Sequence, residues 1–151
     1  MSELRSELMM ELLSGGERFM VEALFVREVI AFRRGYRVPG SPSYLLGLTN
    51  FRGTVLPLAS LAKLLGLPED SSEIILVVFY KGFQLGLLGD KVLDVIPSYE
   101  VIYEEEVKLP DDLKPEFIKG AVRISGKPLF LIDIPAIFGE VFPASLSEKG
   151  E

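Results

Sequence analysis

The side chains able to do chemistry near neutral pH are few in this chain. The densest are carboxylates: Glu104-Glu105-Glu106, then Asp111-Asp112. Two carboxyls facing one cleft can serve as general acid and base, as in glycoside hydrolysis. Consecutive acids in a polar stretch mostly point to solvent, and Asp111-Asp112 between Pro110 and Pro115 reads as a turn. Their spacing does not match a calcium-binding EF-hand loop. Histidine and cysteine are both absent from the 151 residues. That removes Ser-His-Asp and Cys-His nucleophile systems, thiolate metal sites and disulfides. No Gly-Lys-Ser/Thr follows a glycine-rich turn, so no phosphate-cradling loop is present. The residues therefore predict no catalytic, cofactor-binding or metal-binding site. A carboxylate-dependent enzyme built on the acidic stretch is kept as a rival reading.

A second group points to recognition. Asn50-Phe51-Arg52-Gly53 holds one of only two side-chain amides in the chain, the other being Gln84. A hairpin turn explains Asn50, which tolerates left-handed angles, and Gly53. It does not explain Arg52, which would cost desolvation if half-buried among the neighbouring leucines. Arginine's planar five-donor fork makes it a common interface anchor. Spacing alone fits Arg52 equally well as scaffold or as interface.

Charge narrows the partners. The chain carries 16 basic and 22 acidic residues, a net charge of −6. Its only basic cluster is Arg33-Arg34 with Arg37, read as a solvated turn, so nucleic acid is not an expected partner. No basic stretch followed by an apolar run opens the chain. The longest aliphatic-aromatic run, Ile74 to Tyr80, is far short of the roughly 20 residues a membrane helix needs. The expectation is a cytoplasmic protein. Scarcity of side-chain amides is consistent with a thermophilic source.

Strand signals dominate the elements that must position these residues. Leu8 to Leu13 and the alternating stretch Phe19 to Leu24 flank Gly15-Gly16 and predict a hairpin. Phe32 to Val38 reads as another strand, before an irregular Pro39-Gly40-Ser41-Pro42. Further strands are predicted over Leu45 to Phe51, Thr54 to Leu58, Ile74 to Tyr80, Phe83 to Leu88, Val92 to Ile96, Phe117 to Ile124 and Pro128 to Ile132. Leu61, Leu64 and Leu65 predict a short helix stopped by Gly66, and another follows Ile132. Tyr99 to Lys114 reads as acidic and turn-rich, Gly86 and Gly89 as close backbone packing, and the tail from about Ser145 as disordered.

The chain also repeats itself. Residues 47–66 match 120–139, setting Gly47 on Gly120, Gly53 on Gly126, Gly66 on Gly139, and Ser60 on Asp133 as helix N-caps. A weaker match sets Val26, Glu28, Val29 and Ile30 on Val92, Asp94, Val95 and Ile96. Two pseudo-equivalent β-barrel lobes of about five strands each follow, with strand exchange between them left open. The length fits one such domain over residues 1–151.

Taken together, the motifs resemble those of CheW-type chemotaxis coupling proteins. Gly47-Leu48-Thr49-Asn50-Phe51-Arg52-Gly53-Thr54-Val55-Leu56-Pro57-Leu58 is similar to that family's central signature. Gly16 to Phe19, Val26 to Ile30, Gly86 to Val92, Phe117 to Gly120 and Leu129 to Asp133 agree in order and spacing. The resemblance covers about residues 8 to 139. It implies two five-stranded SH3-like β-barrels and a non-catalytic adaptor. The implied partners are the cytoplasmic tips of chemoreceptors and the regulatory domain of the histidine kinase CheA, with membrane association only through the receptors. By position, Val26, Glu28, Gly47, Asn50, Phe51, Arg52 and Gly53 are implied to bind partners. Phe51 stands where the family usually has leucine, and Ala59-Ser60 where it has a hydrophobic residue and aspartate. With no kinase or receiver domain in the sequence, a free-standing adaptor is expected. A CheW-like adaptor of another pathway, such as surface motility, is the nearest alternative.

Overall fold

The computed structural model describes residues 6–68 and 71–142; the tail expected to be disordered lies outside them. Among the described residues eleven strands form two sheets, accompanied by two short α-helices. The six-stranded sheet of the first lobe has the order β8 (Lys91–Pro97), β1 (Leu8–Ser14), β2 (Glu17–Glu22), β11 (Lys127–Ile132), β10 (Ile118–Ile124), β9 (Ile102–Glu104). The second lobe's sheet has the order β3 (Val26–Ala31), β6 (Ile74–Tyr80), β7 (Phe83–Gly89), β5 (Thr54–Ser60), β4 (Leu45–Phe51). The helices α1 (Leu61–Leu65) and α2 (Ile134–Val141) follow β5 and β11.

The predicted repeat is present down to the register. Met9 faces Ile96 in the first lobe as Ile75 faces Ile30 in the second. Leu131 faces Met20 in a parallel pair, as Leu58 faces Gly86. Register shifts interrupt both lobes at equivalent places, between Val26 and Glu28 and between Glu11 and Leu12. Gly47 and Gly120 follow a second pair of shifts. A Cβ on Gly47 would lie 2.7 Å from the Tyr36 carbonyl oxygen, and one on Gly120 2.5 Å from that of Glu104, so no side chain fits.

Each sheet borrows its central hairpin from the other half of the chain. β1 and β2 complete the sheet of β8, β10 and β11, while β6 and β7 complete that of β3, β4 and β5. Chain connectivity compels this exchange. If β1 and β2 joined β3 in one sheet, β2 and β3 would be parallel strands on either side of β1. The chain would then run back about 20 Å along a strand and cross β1. Only Ala23, Leu24 and Phe25 join β2 to β3, a reach of about 14 Å. Asp90 alone separates β7 from β8.

Exchange buries both faces of the hairpins. Met9 and Met20 enter the first lobe's own core with Ile96, Val122, Leu129 and Leu131. Ile75, Val77 and Leu88 enter the second lobe's core with Phe51, Leu56 and Leu58. Their opposite faces, including Phe19, Val21, Leu76 and Val78, meet in a larger shared core that also takes up residues of α1 and α2. This accounts for the near-continuous apolar run of β6.

Several expectations need correction. Phe19 to Glu22 is buried at every position rather than alternating, because β2 is central and covered on both faces. Phe32 to Val38 forms no strand, only a single bridge between Tyr36 and Leu48. Its counterpart in the first lobe is the short strand β9, found inside the stretch expected to be turns, and that lobe therefore has six strands rather than five. Gly66 ends α1 in a left-handed conformation, whereas Gly139 lies inside the longer α2. The predicted caps are present. Ser60 Oγ accepts from the Lys63 amide at 3.1 Å, and Asp133 Oδ1 from the Ala136 amide at 3.0 Å.

Candidate functional site

The seven residues singled out in the sequence all lie in the second lobe. Val26 and Glu28 are on β3 and Gly47, Asn50 and Phe51 on β4, while Arg52 and Gly53 form the β4–β5 turn. β3 and β4 are opposite ends of the sheet order, so the residues converge only because the sheet curls around its core.

Arg52 and Glu28 join the two ends. The guanidinium Nη2 lies 2.7 Å from Glu28 Oε1 and 2.9 Å from Oε2. The arginine also sits 5.1 Å above the ring of Phe51, which is itself buried in the lobe's core. Arg52 remains 68% exposed at its side chain and Glu28 30%. The desolvation that half-burial would impose is thus avoided, and the pair faces solvent with donor capacity left on the arginine.

The turn is held from behind. Arg52 (φ 52°) and Gly53 (φ 85°) both take positive φ, the signature of a type I′ hairpin turn. The left-handed angle expected at Asn50 falls on Arg52 instead. Asn50, one residue before the end of β4, caps the turn, its Oδ1 accepting from the Gly53 amide at 3.1 Å. Its carbonyl accepts from Arg33 Nη1 at 2.9 Å. Thr54 Oγ1 donates to the Phe51 carbonyl. Gly47 acts through its lack of a Cβ, which lets Tyr36 close against Leu48.

The first lobe separates what the fold needs from what this site adds. There the same turn is made by Ser125 (φ 52°) and Gly126 (φ 81°), and Asp94 stands where Glu28 does. Asp94 accepts from the Val95 amide, and serine supplies no cation to pair with it. The backbone therefore does not require an arginine at this turn. The turn geometry alone thus gives no reason for Arg52, whose side chain is paired with Glu28 at the surface.

The acidic stretch gathers no comparable site. Glu105, Glu106, Asp111 and Asp112 are exposed, and Glu104 is engaged by Arg123 Nε at 3.1 Å. Among the described residues no group of three or more acidic side chains is placed to hold a metal ion, and no helix is long and apolar enough to cross a membrane. The sequence reading missed the buried Lys119–Glu22 pair (2.6 Å), which links β10 to the exchanged β2. Alternation over Phe19 to Leu24 places Glu22 on the face opposite Phe19 and gives it no partner; a lysine beside Gly120 at the bulge is the available signal.

The two lobes present an ion-paired arginine on an exposed hairpin tip, a feature that fits a scaffold. The family model described as CheW-like domain matches residues 9–142. The probable chemotaxis protein CheW of Rhizobium etli is 33% identical over 129 residues, covering 83% of each chain. The chemotaxis protein CheW of Bacillus subtilis is 30% identical, covering 87% of this chain and 86% of its own. The crystal structure of the scaffolding protein TtCheW from Thermoanaerobacter tengcongensis shares the fold, with a TM-score of 0.75 at 22% identity over 88% of each chain. The chain belongs to the CheW-like family and is a non-catalytic chemotaxis scaffold.

Proposed function

We propose that this scaffold couples the cytoplasmic tips of chemoreceptors to the regulatory domain of the histidine kinase CheA. Val26, Glu28, Gly47, Asn50, Phe51, Arg52 and Gly53 form or support its contact surface. The observation that carries the site is the asymmetry between lobes, since an exposed arginine occupies a turn that the equivalent lobe makes with Ser125. Arg52 is the anchor. Glu28 and the Phe51 ring hold its guanidinium in one orientation before binding, which lowers the entropy cost of engagement. Working in the cytoplasm and reaching the membrane only through receptors follow from the same reading. Relatives named as chemotaxis proteins favour this pathway over surface motility.

Isothermal titration against the CheA regulatory domain of the same organism, and separately against a receptor-tip fragment, tests it. Saturable binding is expected with both. Charge reversal in Arg52→Glu should weaken engagement of at least one partner by about 1–3 kcal/mol, with an unchanged melting curve. Full affinity in the variant would remove Arg52 as an anchor. Absence of binding to either partner would refute the coupling role.

A further inference from the structure

The segment between β3 and β4 is the one basic motif of the sequence, and the site above uses only part of it. Three clefts lie along it. The first, of about 580 Å³, lies beside Arg33, Arg34, Tyr36 and Asn50. Arg34 and Arg37 enter the second, about 340 Å³, together with Phe32. Arg37 and Lys63 flank the third, about 470 Å³. No carboxylate lines any of them among the described residues, in a chain whose acids outnumber its bases.

Arg33, Arg34 and Arg37 are all exposed. Arg33 donates to the Asn50 carbonyl, while the side chains of Arg34 and Arg37 make no hydrogen bond or ion pair among the described residues. Beside them Tyr36 is 85% exposed and Phe32 44%. The pseudo-equivalent edge of the first lobe has Glu104 where Tyr36 stands, followed by Glu105 and Glu106. The cations are therefore a property of this edge and not of the repeated fold.

We infer that this edge is a docking surface for an acidic segment of a protein partner, extending the Arg52 contact surface. Asn50 makes the two surfaces continuous, since it holds Arg33 through its carbonyl and the Arg52 turn through its side chain. Exposed aromatic rings beside unpaired guanidinium groups suit a segment that mixes acidic and apolar side chains. A short segment fits better than a long polyanion. Within about 8 Å, the screening length at physiological salt, it meets the arginines; a nucleic acid or an anionic membrane would extend over a body of net charge −6. For the identity of the protein carrying the segment, the inference rests on the coupling role proposed above.

The test uses the full chain labelled for NMR and a glutamate-rich synthetic peptide of about ten residues, long enough to cover the edge. At about 50 mM salt the peptide should perturb residues 33–37 and 49–50. Arg34→Glu with Arg37→Glu should abolish this without altering the melting curve, and lysine at both positions should retain it. The same reversal should weaken binding of the receptor tip or the kinase domain about tenfold, with the difference closing near 0.5 M salt. If both partners bind the reversal variant as tightly as the parent while Arg52→Glu weakens them, the edge is not a docking surface and the coupling role stands. If the peptide binds at the edge and neither partner binds the parent chain, the coupling role falls and the acidic-segment site remains. An oligonucleotide or a phosphatidylserine vesicle that displaces the peptide from the same residues at lower concentration would overturn the assignment to a protein segment.

Discussion

At the scale of residues, the two lobes act as controls for each other. Ser125 makes the turn that Arg52 makes, with the same φ. Arg52→Ser should therefore change stability by no more than about 1 kcal/mol, since it removes one largely exposed ion pair. Chemical denaturation measures this, and a larger loss would make the Arg52–Glu28 pair a structural clasp. Gly47 sets the opposite expectation. In Gly47→Ala the new Cβ meets the Tyr36 carbonyl oxygen at 2.7 Å on a backbone with φ 150°, so a loss of about 1–3 kcal/mol is expected. Gly53 meets nothing within 4 Å, and Gly53→Ala should cost less, leaving mainly the strain of its left-handed φ. These distinctions were only half legible in the sequence. Caps at Ser60 and Asp133 could be read there because a cap is a local contract between neighbours. Which of Asn50 and Arg52 took the left-handed angle could not, because either satisfies the turn and the choice follows from where β4 ends.

At the scale of elements, the buried Lys119–Glu22 pair ties β10 to a strand from the other half of the chain. Glu22 is 1% exposed at its side chain and Lys119 15%. The register places Leu88 and Leu46 at the equivalent positions of the second lobe, where both pack against its apolar core. Removing one charge strands the other, so Glu22→Leu alone should cost about 3–5 kcal/mol. Glu22→Leu with Lys119→Leu copies the second lobe and should recover most of that loss. A double variant no more stable than the single would mean that the exchanged hairpin depends on the charges themselves. Tyr44, just before β4, reaches Glu140 of α2 at 3.5 Å. Burial first, then the Glu140 carboxylate, raises its pKa above 10.0. The fold thus prefers the neutral phenol, and that preference is fully present below the unfolded pKa and lost as pH rises through the raised folded value. Alkaline titration by absorbance should show a late-ionising component from Tyr44, which Tyr44→Phe should remove. Element types were mostly legible from alternation and glycine-containing turns. The missing strand at Phe32 to Val38 was not, because the segment's backbone pairs only at its ends, Phe32 with Glu73 and Tyr36 with Leu48, and pairing is not a local property.

At the scale of the whole molecule, the repeat was legible but the exchange was not. Similarity between halves says which strands are equivalent, not which sheet each one joins. The connectors decide that: three residues after β2 and one after β7 are too short to return either hairpin to its own half. Neither half of the sequence can therefore build a complete sheet. Cut at residues 69–70, the first half would hold β3, β4 and β5 without their central pair, with β1 and β2 lacking a sheet to enter. The shared core would be divided as well, with Phe19, Val21 and Leu61 on one side and Leu76, Val78 and Phe138 on the other. Each fragment alone should show no cooperative melt by circular dichroism. Mixed at equal concentration, they should regain the intact protein's spectrum, because the two exchanged hairpins bury both faces of four strands in the partner fragment. The intact chain should melt in one step, with calorimetric and van't Hoff enthalpies equal. Either fragment folding cooperatively by itself, or two separate transitions in the intact chain, would show that the lobes are independent modules and that exchange is not what unites them.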